Sequence, residues 1–173
     1  MQTRSRIAMY FFIIIYMLAF VQWVCGYIRI GIESRERCSR VLATELIAKI
    51  ICLVIFIVYP TMIIRPEITG TDIFSKITAL VYLVDTPDNL FPSVHCVESY
   101  IIFRGSMGMK KVPGWYVPAM GAFSILVFAS TVLVKQHVVI DIIAAIVVSE
   151  IAFALARVYM RVKMHIIKRK DCE

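Results

Sequence analysis

Charge is scarce in this sequence. Only 18% of its 173 residues are Asp, Glu, Lys or Arg, and 60% are hydrophobic, where a soluble domain carries about 25% and about 45–50%. With a mean hydropathy of +0.81, that shortage excludes an ordinary water-soluble globule. Paired cysteines are missing too. The five cysteines include no CxxC, which excludes a disulfide framework and a zinc knuckle. Neither Cys38 nor Cys96 has an arginine six positions on, so there is no Cys-x5-Arg phosphatase loop and Cys96 reads as a small buried hydrophobe. Internal repeats and low-complexity stretches are absent. Acidic residues are outnumbered, 12 against 19 basic, for a net charge of +7.

What is present is a series of long apolar runs. A hydrocarbon core of about 30 Å takes about 20 apolar residues of helix, and five segments meet or approach that length: Ile7–Ile30, Val41–Ile64, Ser93–Met109, Trp115–Val134 and His137–Arg157. The first is too long for a secretory signal and lacks its small-residue cleavage site, so it is kept as a span. Ile73, Phe74, Ile77, Leu80, Val81 and Val84 recur at helical spacing, with Asp72, Ser75 and Lys76 opposite. This pattern predicts a short amphipathic helix at the interface, with turns at Pro66, Gly70, Pro87 and Asp88-Asn89. The expected fold is all-α: one polytopic membrane bundle over residues 1–173, with five transmembrane helices, one interfacial helix and a basic tail at 161–173.

Five spans leave 5 basic residues on the side of the N-terminus (Arg4, Arg6, Arg65, Lys76 and Lys135). The other side has 13, from Arg29 to Lys170, and Lys49 lies inside a span. The positive-inside rule makes the second side cytoplasmic. The basic excess is then a topology signal and not a nucleic-acid footprint. Trp23, Tyr27, Trp115 and Tyr116 fall where an aromatic belt would lie on that face.

Ionisable groups inside spans are costly and informative. Glu45 and Lys49, four apart, read as a buried structural pair or a proton relay. Glu98 and Glu150 have no evident local partner. Glu98 lies one turn below His95, where it tunes a site or caps a polar seam. A sharper group is level in depth: Arg65 ending the second span, Pro92, Ser93 and His95 opening the third, Ser130 and Thr131 closing the fourth, and His137 and Asp141 opening the fifth. His137 and Asp141 share one helix face, so the carboxylate can fix the imidazole tautomer. Pro92 suits a first helical turn, whose free N–H groups favour an anion, and Arg65 offers a fork matched to phosphate. The set suits phosphoryl transfer. A metal site on His95, His137 and Asp141, with water as fourth ligand, is the competing reading.

These residues resemble the type 2 phosphatidic acid phosphatase superfamily, related to vanadium haloperoxidases. Its motifs are Lys-x6-Arg-Pro, Pro-Ser-Gly-His and Ser-Arg-x5-His-x3-Asp. Here they stand as Val58 through Arg65-Pro66, Pro92-Ser93-Val94-His95, and Ser130-Thr131 through His137 to Asp141, over a core of about 41–160. The resemblance implies His137 as nucleophile, Asp141 as its orienting group and His95 as acid and base. It implies Arg65, Ser93, Ser130 and Thr131 as phosphate ligands, with Lys135 near enough to replace part of the missing positive charge. No metal or cofactor is implied; the partners are a lipid phosphate and the bilayer, with no nucleic acid. The family core usually has six helices, so a first span is expected to be absent. Valine at 58 and threonine at 131 replace two family cations. The Ser-Thr start and Pro-Ser-aliphatic-His form are also similar to the inositol phosphorylceramide synthase branch. Three functions follow as expectations: lipid phosphatase, phospho-headgroup transferase, or a non-catalytic transporter or scaffold on the same fold.

Overall fold

A computed structural model describes residues 2–65, 67–68, 70–85 and 88–170, with side chains described between 11 and 165. The expected turn residues Pro66 and Pro87 lie outside the described residues, as do the side chains of Arg4, Arg6 and Lys168 to Lys170. Six helices follow one another: α1 (Gln2–Glu33), α2 (Arg35–Val58), α3 (Ile73–Val84), α4 (Val94–Ser106), α5 (Tyr116–Leu133) and α6 (Val139–Lys170). Among the described residues there is no strand, only an isolated bridge between Met62 and Asp88.

Four helices are long and apolar enough to cross a membrane: Phe11–Glu33, Arg35–Val58, Tyr116–Leu133 and Val139–His165. The outside of the bundle is the greasy side. Leu46, Ile57 and Val58 are exposed, while Thr44, Ser99, Ser106, Ser124 and Ser149 are fully buried. The inner hydroxyls of Thr44, Ser106, Ser124 and Ser149 donate to the carbonyl four residues back, which satisfies them without water.

The expected third span is shorter than the sequence suggested. The 13 residues of α4 reach about 20 Å at 1.5 Å per residue, short of the hydrocarbon core. Its length is tolerated because α1, α2, α5 and α6 surround it, so protein and not lipid meets most of its surface. Glycines permit that centre. A Cβ at Gly26 on α1 would collide with the Ile102 side chain of α4, and one at Gly105 on α4 would lie 2.8 Å from Val41 Cγ2 on α2.

Helix α2 stops at Val58, not Ile64, because Pro60 biases Tyr59 away from the helical region; Tyr59 sits at φ −134°, ψ 70°. Arg65 therefore lies in a loop and not on a helix end. Helix α3 forms as expected, with Asp72 capping Phe74 N and Ser75 N at 3.1 Å. Ser75, Thr78 and Val81 turn inward, and Ile73, Leu80 and Val84 turn outward, the arrangement a lipid-facing helix takes.

The charges in the spans are paired across helices. Lys49 Nζ lies 2.6 Å from Glu45 and 2.8 Å from Glu98, and the Tyr27 hydroxyl lies between the two carboxylates, within hydrogen-bond distance of each. Glu150 meets Arg104 at 3.0 Å and accepts from Tyr100 at 2.8 Å. Glu98 and Glu150, which have no evident local partner in the sequence, find their partners on helices distant in sequence.

The glycine contacts yield a first prediction. Gly26→Val should cost about 1–3 kcal/mol by overpacking, read as a lowered melting temperature in detergent. Gly114→Ala, where an added Cβ meets open space, should leave the melting temperature unchanged.

Candidate active site

The turn between α5 and α6 sets the site. Gln136 N and His137 N both donate to Thr131 O at 3.0 Å, and Lys135 adopts φ 61° to let the chain reverse. Lys135 is left exposed, while Gln136 and His137 are buried. His137 precedes α6 and is not part of it. Its closeness to Asp141 therefore has a different cause from the helix face expected. Asp141, in the first turn of α6, accepts from Val138 N at 3.0 Å and from His137 Nδ1 at 3.2 Å. A carboxylate in that position is favoured by the positive end of the helix dipole. With Nδ1–H directed at Asp141, Nε2 carries the free lone pair of His137.

Ser93 caps α4, its Oγ 3.5 Å from Cys96 N, so Pro92 lies before the cap and not in the first helical turn. His95, in the first turn of α4, is held from α1. Tyr16 stacks on its ring at 4.2 Å, and Trp23 lies at 5.2 Å. The Tyr16 hydroxyl is 3.2 Å from His95 Nδ1 and donates to Asp85. The donor order is fixed by that last bond: His95 Nδ1–H to Tyr16, Tyr16 O–H to the Asp85 carboxylate. His95 Nε2 is left buried and without a protein partner.

Asp85 is the C-cap of α3, where the helix dipole disfavours a negative charge; the Tyr16 hydroxyl compensates there. His95 lies within Coulombic reach of Asp85 and of His137, but no hydrogen bond joins the imidazoles. They open differently: His95 lines an apolar groove of about 170 Å³ between α1 and α3, and Asp141 a cavity of about 440 Å³ beside Tyr59, Thr61 and Phe91.

Arg65 reaches the same layer from its loop. It donates to Tyr82 O at 3.0 Å and to Gln136 Oε1, and its guanidinium lies 4.8 Å from the Tyr82 ring centre. Burial pushes the Tyr82 phenol up, with the Arg65 charge opposing; the hydroxyl donates to Val134 O at 2.8 Å. Arg65 Nε and Gln136 Nε2 are buried without partners.

The other expected phosphate ligands are less available. Ser130 Oγ and Thr131 Oγ1 return to carbonyls of their own helix at 2.7 and 2.9 Å, and the Lys135 side chain is exposed. Among the described residues no three His, Cys, Asp or Glu side chains gather closely enough for a metal ion, so the three-ligand reading of His95, His137 and Asp141 does not hold. Tyr16, Asp85 and Gln136 escaped the sequence reading. Asp85 alone carried a signal, a carboxylate ending an apolar helix.

Comparison with protein-family models, with curated proteins and with solved structures finds no match for this chain.

The two imidazole clamps can be separated by nitrogen-15 NMR of labelled histidine. Tyr16→Phe and Asp85→Asn should each disturb the His95 tautomer and leave His137 unchanged, and Asp141→Asn should do the reverse. Unmoved His95 signals in both of the first two variants would contradict the assigned hydrogen-bond order.

Proposed function

We propose that this chain is a membrane enzyme that hydrolyses a lipid phosphate ester through a phosphohistidine on His137. The observation that carries the reading is the buried His137–Asp141 pair, with imidazole Nδ1 occupied and Nε2 free. The resemblance to the type 2 phosphatidic acid phosphatases adds support, since it puts the nucleophile and its carboxylate at these two positions.

In this mechanism His137 Nε2 attacks phosphorus, and the bond from phosphorus to the alcohol oxygen breaks. Protonated His95 delivers the Nε2 proton to the departing oxygen. Neutral His95 then takes a proton from water, the resulting oxygen nucleophile attacks the phosphohistidine, and inorganic phosphate leaves. Asp141 stabilises the positive charge that develops on His137. The Tyr16–Asp85 chain does the same for His95, so both imidazoles have a carboxylate behind them. Arg65 Nε and Gln136 Nε2, the unpartnered buried donors, supply hydrogen bonds to phosphoryl oxygens.

The apolar groove beside His95 would take the chain of the leaving alcohol, since its outer wall of Phe20, Leu80 and Val84 is exposed on the lipid-facing surface. In the proposed topology α4 completes five crossings, α3 rests at the interface, and the histidine layer lies at the non-cytoplasmic face of the cell membrane. The 13 basic residues of the other end support that orientation.

A second reading, transfer of a phospho-headgroup to a lipid alcohol, is favoured by the shortage of cations. Val58 points outward with 76% of its surface exposed, and Thr131 carries no charge, so Arg65 is the one motif cation. A phosphodiester, with one negative charge, asks for less compensation than a monoester.

Purified protein in nanodiscs, given phosphatidic acid, polyprenyl diphosphate, phosphatidylglycerophosphate and headgroup-donor lipids, separates these readings by phosphate release and by lipid products. His137→Ala should lose at least about 10³-fold in rate, and His95→Ala about 10²–10⁴-fold. An acid-labile, base-stable phosphohistidine should accumulate in His95→Ala. Normal turnover in His137→Ala overturns the mechanism. No turnover of any lipid by the wild type, with no trapped intermediate, returns the chain to the scaffold reading.

A further inference from the structure

The end of the bundle opposite the histidine layer holds a cavity of about 250 Å³ between α2, α4 and α6, lined by Arg37, Arg40, Arg104 and Arg157, with Val41 and Phe153 as an apolar wall. Two of these arginines have structural work. Arg37 donates to the carbonyls of Gly105, Met107 and Gly108 at 3.1, 2.7 and 3.1 Å, closing the carboxyl end of α4. Arg104 pairs with Glu150 at 3.0 Å and packs on the Phe153 ring.

The other two are less committed. Arg40 uses one nitrogen on Glu36 at 2.7 Å, and Arg157 uses its Nε on Phe153 O, a carbonyl of its own helix, at 3.3 Å. Arg40 Nη1 and both terminal nitrogens of Arg157 have no protein acceptor among the described residues. Four guanidinium groups thus face the two carboxylates that touch them, Glu36 and Glu150, and the cavity keeps an uncompensated positive charge.

We propose that this cavity is a binding site for the phosphate headgroup of an anionic lipid, with Arg40 and Arg157 as its direct ligands. Guanidinium forks match phosphate oxygens in charge and geometry, and basic pockets between membrane helices suit acidic headgroups. A soluble anion would use the arginines alone. An amphiphile also uses the flanks, where Leu42 on α2 and Val158 and Tyr159 on α6 are exposed apolar surface. The site is independent of the histidine chemistry and stands if His137 proves inert.

The test uses the full chain in phosphatidylcholine nanodiscs, in the same discs doped with phosphatidylglycerol, and in undoped discs with inorganic phosphate. Melting temperature and lipid retained in native mass spectrometry are read together. Phosphatidylglycerol should raise the melting temperature of the wild type and be retained. R40Q/R157Q should retain about tenfold less, the loss expected from about 1.4 kcal/mol of charge-assisted bonding. R157Q alone, which gives up an intrahelical bond to Phe153 O, should already lose part of that retention and guards against misfolding of the double variant. R161Q/K163Q, the same charge change outside the cavity, should behave as wild type. Equal retention by R40Q/R157Q and wild type, or equal loss in both double variants, overturns the site. Inorganic phosphate stabilising as well as phosphatidylglycerol overturns the lipid as its source.

Discussion

One carbonyl, that of Thr131, organises the proposed site. By accepting from both Gln136 N and His137 N, it reverses the chain within a few residues and buries two consecutive polar side chains while Lys135 is turned out. The consequences run outward from there. Gln136 takes the Arg65 guanidinium, Arg65 takes the Tyr82 carbonyl, and the Tyr82 hydroxyl returns to Val134 O in the same turn. That closed circuit clamps α3 against the α5–α6 connection. With Tyr82 fixed, Asp85 at the end of α3 meets Tyr16, and through Tyr16 reaches His95. The same turn leaves His137 beside the first turn of α6, where Asp141 receives it. Both imidazoles are thus oriented by contacts that trace back to one reversal of the chain.

The circuit works because the solvent around these helices is apolar. In hydrocarbon an unpaired polar group has no water to turn to, so hydroxyls, amides and charges gather inside, and close helix approach is gained through small residues. Ser75 and Thr78 facing inward on α3 are expressions of the same rule, and Lys49, whose side chain stays exposed, is met by two carboxylates. So is α4, too short to match the hydrocarbon core and wrapped by its neighbours. The burial of its Glu98 is made tolerable by a lysine from α2 and a tyrosine from α1.

Periodicity and apolar length made the helices readable from the sequence, because a membrane span is a local property of about twenty residues. The ends were less readable. The apolar run to Ile64 concealed the stop that Pro60 imposes, and so it put Arg65 at a helix end when it lies in a loop. Side-chain partners were least readable. Tyr16 and Asp85 are 69 positions apart, and nothing in either neighbourhood announces the other. His137 and Asp141 show the opposite case. Their spacing pointed to contact, yet the contact is a capping arrangement at a helix start and not two residues on one helical face.

The distribution of charge in the histidine layer bears on what it would take. Among the described residues Arg65 is the cation there, and it is already bonded to a backbone carbonyl and a side-chain amide, with Nε left over. Val58 faces outward, so even a lysine there would have to bend back around α2 to reach the layer. Thr131 returns its hydroxyl to Phe128 O. Against this modest positive charge are two carboxylates, Asp85 and Asp141, each behind an imidazole. With both imidazoles neutral, Arg65 is already outnumbered by the two carboxylates, so any phosphate ester is better compensated once a histidine is protonated, and a group bearing two negative charges needs this more than a singly charged one. On the proposed reading, this balance makes the protonation of His95 part of ligand binding as well as of leaving-group departure, and a doubly charged monoester depends on it most.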